Sequence, residues 1–336
     1  MRLNKRLVAI AISAIASISA VAQTIPSVPT FPNEQKDLAN AYMNSARALA
    51  GGDQTPAFLR RCIMAQSYTM YSNSAEDSYL MPPIKVFDNL YWVGSGAVSA
   101  WAIKTSIGLV LIDSMNNPGE GENIVAAGLR KLGLDMADAK YLIITHEHGD
   151  HFNGAGYLQR TYGVRVIASD IAWAGITGAN APTKDISIVD GQTMTFGDTT
   201  VSFTVTPGHT PGATSLVFPV YDLGVKRMGA MYGGFGIPGA ANTKMQQIDS
   251  LAKFAAVTAA ANVDTLLANH QTQDLSLFNH ELLRYRRPAI ANPTSPSDML
   301  DPHPYVIGSE QWQRFLQVQS QCVRLSAARS AQVLPH

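Results

Sequence analysis

The sequence predicts an α/β protein built from two strand-rich halves, each with its own helices, packed face to face as two ββα-like units. Three observations carry this. Apolar runs of strand length, bounded by turn residues, occur in both halves of the 336-residue chain. Segments of helical composition separate them, and no internal repeat stands out. An apolar content of 46% against 15% charged residues fits a globular protein with a substantial core. The formal net charge is zero and no long basic run occurs, which argues against a nucleic-acid partner.

The chain opens on Arg2, Lys5 and Arg6, then an apolar run from Leu7 to Ile18, too short for a comfortable membrane span, then Ala20-Val21-Ala22. This reads as a secretory signal peptide over residues 1–22, with an uncleaved anchor as the alternative. The expected mature protein starts near Gln23, is secreted or periplasmic and keeps no stable membrane span. Residues 23–83 read as a mostly helical N-terminal extension. Pro26, Pro29 and Pro32 make an extended lead-in, and Asn33 to Ala50 is helical and stops at Gly51-Gly52. Thr55 is expected to cap a second helix, Ala57 to Ser67, with Pro56 in its first turn. The catalytic domain is expected over 84–336.

Within it, Val86 to Val93, Ala97 to Lys104 and Gly108 to Asp113 read as successive strands, the first two joined by a rim loop at Gly94-Ser95-Gly96. Glu122 to Leu132 is an amphipathic helix, Tyr141 to Ile144 a buried strand and Asn153 to Tyr162 a helix. Val164 to Ala168 and Ile186 to Asp190 are short strands, and Gln192 to Val205 is a hairpin turning at Gly197-Asp198. Gln246 to Ala261 is helical, and Val263 to Ala268 is a last buried strand. The segment Arg284 to Gly308 reads as a flap or a solvated loop. Cys62 and Cys322 are the only two cysteines. A bond between them would tie the extension to the C-terminal helix and stabilise by roughly 4 to 5 kcal/mol on a chain-entropy argument; two separate buried thiols are the alternative.

The chemistry concentrates in Thr145-His146-Glu147-His148-Gly149-Asp150-His151, directly after the strand at 141–144. His146 and His148, two apart, point the same way along an extended strand end, and Gly149 lets the chain turn and re-aim Asp150 and His151. One pair can serve one metal and the other pair a second. Ordinary polar residues at a turn would not place three of the chain's eight histidines in seven positions.

This HxHxDH pattern resembles the signature of the metallo-β-lactamase superfamily, metal-dependent hydrolases whose fold is a four-layered αββα sandwich. The resemblance covers roughly residues 84–325. It implies that His209, in Thr206-Pro207-Gly208-His209-Thr210-Pro211-Gly212, and His270, after the last strand, complete the ligand set. His146, His148 and His209 would hold a first metal; Asp150, His151 and His270 would hold a second. Asp150 would also orient the attacking water, and Asp113 would brace the metal-binding loop. Two zinc ions are the expected cofactors, though imidazole and carboxylate also suit iron or manganese. Three protein ligands per metal mark a catalytic site, where a metal-activated water attacks a carbonyl carbon. His280 and His303 match no ligand position and read as surface or rim residues.

The segment Met228 to Gly236 holds no carboxylate and no cysteine. Many superfamily thioesterases and lactonases carry a bridging Asp there, so its absence points to the third subclass of class B β-lactamases. Against that, Gly233 and Gly234 stand where that subclass places carboxylate-binding serines, and Gln271-Thr272 follows the last ligand instead of Pro-Gly. That subclass pairs a Cys before the last strand with one in the final helix; Val263 takes the first place here, and Cys62 is the implied substitute partner of Cys322. Trp101, Phe152, Trp173, Tyr232 and Phe235 are candidate substrate-stacking residues, with core packing as the alternative. The resulting expectation is an exported dizinc hydrolase of a small-molecule cyclic amide, a β-lactam first. The alternatives are a lactonase or other esterase, such as one for acyl-homoserine lactones, or a metal-binding relative without catalysis. The sequence does not give the oligomeric state.

Overall fold

The computed structural model describes residues 30–67, 81–287 and 301–335. The signal-peptide segment, its cleavage site, Pro26, Pro29, the centre of the expected flap and His336 lie outside the described residues. Among the described residues no helix is long and apolar enough to cross a membrane.

Two sheets form the centre. The first runs in sequence order through β1 (Ile84–Phe87), β2 (Leu90–Trp92), β3 (Trp101–Thr105), β4 (Gly108–Ile112), β5 (Ala139–Ile143), β6 (Arg165–Ser169) and β7 (Ile186–Ile188). The second comprises β8 (Thr193–Phe196), β9 (Thr199–Val205), β10 (Thr214–Asp222), β11 (Val225–Met231) and β12 (Thr265–Leu267), in the order β12-β11-β10-β9-β8. Strand periodicity divides the apolar residues between layers. In β4, Val110 and Ile112 enter the layer between the sheets, where they join Trp92, Trp101, Phe203, Phe218 and Met231. Leu109 and Leu111 face the other way, onto Val125, Leu129 and Leu158 of the covering helices. The second sheet's outer face is covered by the helices Ala241–Ala260 and Ser309–Arg329 through Phe254, Trp312 and Phe315. The order of layers is helices, sheet, sheet, helices: the αββα sandwich.

The helix Lys36–Ala50 packs on Ser309–Arg329 through Ala39, Ala46 and Ala50, one helical face of small side chains. A Cys62–Cys322 disulfide bridges 260 positions of chain beneath it.

Several expectations are corrected. Val86 to Val93 is not one strand: Phe87 pairs with Leu90, so Asp88-Asn89 is a two-residue turn, held by Asp88 N–H donating to Tyr221 O (2.7 Å). The regular strand β3 begins only at Trp101; before it the chain turns tightly, with Val93 N–H donating to Ala100 O (2.9 Å) and Ser95 N–H to Val98 O (2.8 Å), while Val98 bridges to His270. Thr55 is no N-cap; Gln54 holds that position, and the Thr55 hydroxyl donates back to Gly51 O (2.7 Å). The hairpin β10–β11 escaped the sequence reading because β10 is buried on both faces through Val220, which removes the alternation that marks a strand. His280 and His303 are not surface residues: they are 1% and 5% exposed, with His280 against Trp92 and His303 stacked on Phe87. The expected flap is anchored where it is described: Tyr305 is fully buried, and Arg286 makes a two-pronged pair with Asp222 (2.7 and 2.8 Å).

Candidate metal centre

Four strand ends meet at one edge of the sandwich. β4 and β5 are parallel neighbours, so Asp113 and the heptad emerge together; β9 leads to His209 and β12 to His270. Ligand-type atoms gather in two groups, His146, His148 and His209, and Asp150, His151 and His270, each within 4.8 Å. The His146 ring lies 4.0 Å from the His151 ring, centroid to centroid, so the groups adjoin. In the second group, His151 Nε2 is 3.2 Å from Asp150 Oδ2 and 3.1 Å from His270 Nε2, and His270 Nε2 is 3.5 Å from Asp150 Oδ2.

The surrounding hydrogen bonds decide which nitrogen each ring presents. Asp113 is fully buried at φ 61°, a left-handed conformation Asp tolerates better than most residues. Its carboxylate accepts from Thr145 N–H (2.8 Å), Thr145 Oγ1–H (2.8 Å) and His151 Nδ1–H (2.7 Å). The Thr145 hydroxyl has then spent its one proton, so toward His146 Nδ1 (3.2 Å) and Asn269 Nδ2 (2.9 Å) it accepts. His209 Nδ1 donates to Gly236 O (2.9 Å) and His270 Nδ1 to Ala97 O (3.1 Å). His146, His209 and His270 therefore carry a proton on Nδ1 and turn Nε2 inward as a lone pair, and His151, with Nδ1–H on Asp113, turns Nε2 toward Asp150 and His270. His146 Nε2 is buried and has no hydrogen-bond partner. An orphaned acceptor of this kind beside two further imidazoles fits a metal ion.

Burial and neighbouring imidazoles hold His146 well below its ordinary pKa, His209 down to about 3 and His270 down to about 4. Burial works against a charged His151, yet Asp113 and Asp150 raise it to about 10. Burial also opposes an ionised Asp150, but His151 and His270 outweigh it and hold the carboxyl below its usual range.

Several supporting residues were not legible as such. Glu147 accepts from Thr210 Oγ1 (2.8 Å) and Gly212 N–H (2.9 Å), clamping the His209 turn to the heptad. Asn269 donates to Thr145 Oγ1 and Gly233 O (both 2.9 Å). Gln247 donates to Gly234 O (3.1 Å) and Gly236 O (3.0 Å). A Cβ on Gly236 would lie 2.1 Å from His209 Cε1, and one on Gly234 2.8 Å from His209 Cδ2, so only glycine lets this wall sit flush against the ring. Glu147 and Asn269 adjoin ligands in the sequence, and that adjacency was the available signal; Gln247 offered none.

The candidate stacking aromatics are core residues instead. Trp101, Tyr232 and Phe235 are at most 1% exposed, and Phe152 and Trp173 are 5% and 7%. Trp101 Nε1 donates to Ala268 O (2.9 Å), tying β3 to the chain before His270; Tyr232 and Phe235 pack on each other and on Phe254 and Phe315. Their area is worth more in the core than at a wet rim.

Residues 93–223 match the family model described as the metallo-beta-lactamase superfamily. A hydroxyacylglutathione hydrolase from Rhodopseudomonas palustris is 37% identical over 92 residues, 27% of this chain and 33% of that protein; the match thus spans a third of the relative's length. Among solved structures, BJP-1, a subclass B3 metallo-beta-lactamase of Bradyrhizobium japonicum, aligns with TM-score 0.61 at 23% identity, over 76% of this chain and 98% of that one. Native FEZ-1 metallo-beta-lactamase from Legionella gormanii aligns with TM-score 0.63 at 19% identity, over 76% and 99%. At these identities the structural likeness speaks for the fold.

Proposed function

We propose that this member of the metallo-β-lactamase superfamily is a metal-dependent hydrolase that opens a cyclic amide, with β-lactams as its substrate class and two zinc ions as its cofactor, acting outside the cytoplasm. The observation that carries the reading is the pair of adjoining three-donor groups in which His146, His151, His209 and His270 have Nδ1 occupied by a hydrogen-bond partner and turn Nε2 inward. Imidazole and carboxylate donors suit zinc, and three per ion leave positions for water and substrate. A divalent ion held there supplies Lewis acidity and lowers the pKa of a water toward neutrality. The chain's own residues do the rest. His148 is exposed and Asp150 partly so, whereas His146 and His151 are buried; the substrate therefore approaches over His148 and Asp150. Asp150 stays ionised at neutral pH and orients the attacking water by accepting its hydrogen bond.

The choice of a β-lactam rests on the segment Met228–Gly236, which holds no carboxylate and meets His209 with glycine backbone at Gly234 and Gly236. Lactone or ester hydrolysis is the second reading, favoured by Gly233 and Gly234 in place of carboxylate-binding serines and by a relative named hydroxyacylglutathione hydrolase. Hydrolysis of a chromogenic cephalosporin by the zinc-loaded protein, beside His148→Ala and a lactone panel, separates them. Turnover abolished by both the substitution and a chelator supports the first reading. Two zincs bound with no cephalosporin turnover rejects it, and the lactone panel then decides the second.

A further inference from the structure

The helical stretch 55–67 carries a positive charge into the interior, with no carboxylate paired to it among the described residues. Arg61 is 3% exposed. Its Nε has no hydrogen-bond partner, its Nη2 reaches Gln247 Oε1 only at 3.4 Å, and its guanidinium lies 5.9 Å from the Phe235 ring centroid. Among the described residues no carboxylate stands within ion-pair distance of it. Burial pulls Arg61 down to about 9, so it remains a cation at neutral pH. A buried guanidinium without an anion is strongly unfavourable, and an apolar side chain would fill the same space without that cost.

Arg61 lines a cavity of about 350 Å³ together with Arg60 and Arg329. Arg329 is partly committed, donating to Cys62 O and Gln66 Oε1 (both 2.9 Å) and standing 3.7 Å from Glu34. No acidic side chain joins the described lining. Gly236, whose carbonyl accepts from His209 Nδ1, also lines it, as do Thr272 and Gln273, two and three positions after His270. The cavity thus borders the metal centre.

We propose that this cavity is a carboxylate subsite, in which Arg61, flanked by Arg60 and Arg329, holds the carboxylate of an anionic small molecule whose scissile bond lies at the metal centre. The anion site stands on its own; its role in substrate binding rests on the hydrolase reading above. A planar carboxylate accepts two parallel bonds from a guanidinium, and the site offers the fixed cation that Gly233 and Gly234 cannot supply.

The test is calorimetric titration of the metal-free full chain with benzoate, with neutral benzamide as control. Benzoate should bind at least about tenfold more tightly than benzamide, and Arg61→Gln should cost about tenfold or more of that affinity, partly restored in Arg61→Lys. Ser326→Glu sets a carboxylate into the cavity wall without removing Arg61; it should block benzoate too, which keeps the test decisive if Arg61→Gln does not fold. Equal binding of benzoate and benzamide, or benzoate binding that neither variant changes, overturns the subsite. On the zinc-loaded enzyme, the KM preference for a chromogenic cephalosporin over its methyl ester should fall about tenfold in Arg61→Gln. Arg61-dependent benzoate binding with no hydrolysis of either compound retires the hydrolase reading and leaves the anion site. Hydrolysis with an unchanged acid-to-ester preference retires the substrate role of Arg61 and leaves the hydrolase.

Discussion

Replacing Asp113 with Asn leaves the shape of the residue and inverts half of its hydrogen bonding. In the native chain the carboxylate accepts three bonds, from Thr145 N–H, Thr145 Oγ1–H and His151 Nδ1–H. The amide oxygen of Asn can keep the first. Its NH₂ then faces the other two donors, and each charge-assisted bond lost in a buried site is worth about 1.5 to 3 kcal/mol. Two such losses come to roughly 3 to 6 kcal/mol if nothing adjusts. The available adjustment moves the His151 proton from Nδ1 to Nε2. That relieves the clash and turns an N–H toward Asp150 and His270, so the ring no longer offers a lone pair to their group. Asp113→Asn should therefore weaken metal binding at Asp150, His151 and His270 by about 10- to 100-fold. His146 lies one hydroxyl further along the network and should be affected less. Competition with a chromogenic chelator resolves the two dissociation constants. Unchanged affinities, or a greater loss at the His146 group, would refute this account of Asp113.

Gly236→Ala places a Cβ 2.1 Å from His209 Cε1 and 2.3 Å from Nδ1; with circular dichroism unchanged, the His146 group should lose at least about tenfold in zinc affinity, and unaltered affinity would show that the wall yields. Reducing the Cys62–Cys322 bond, which spans 260 positions, should cost about 5 to 6 kcal/mol in guanidinium unfolding, and Cys62→Ser should reproduce the effect; a loss below about 1 kcal/mol would count against a chain-entropy role. Asp274 gives a pH prediction. Burial raises its carboxyl from 3.8 to about 7, although Ser276 and the backbone N–H groups of Ala268 and Ser276 hydrogen-bond to it. The folded chain thus keeps a proton that the unfolded chain releases, so this group's contribution to stability is present below pH 4 and lost as pH rises toward 7, roughly 4 kcal/mol in all. Asp274→Asn should gain on the wild type across that window and hold the difference above it in urea melts; a difference independent of pH would refute the shift.

The heptad was legible because four donors fall in one short stretch and a strand end aims them without help from the rest of the chain. His209 and His270 lie far from it in sequence, and a lone histidine in a loop carries no local mark, so they were found through the family resemblance. The strands around them were legible where one face is polar and one apolar, as in the β8–β9 hairpin, and illegible in β10, which is covered on both sides. The aromatic residues misled because nearness to a loop in sequence says little about direction: Trp101 starts a strand and points inward to Ala268 O. Arg61 carries no mark in the sequence for a related reason. Helical composition alone did not show that one of two adjacent arginines is buried.

Crystallographic anomalous scattering at the zinc edge, on the zinc-loaded full chain, would locate the ions against the six side chains. Two peaks per chain are expected, one against Nε2 of His146 and His209 with His148, the other against His151 and His270 Nε2 with Asp150 Oδ2. A single peak, or zinc bound away from these six side chains, would contradict the two-metal reading.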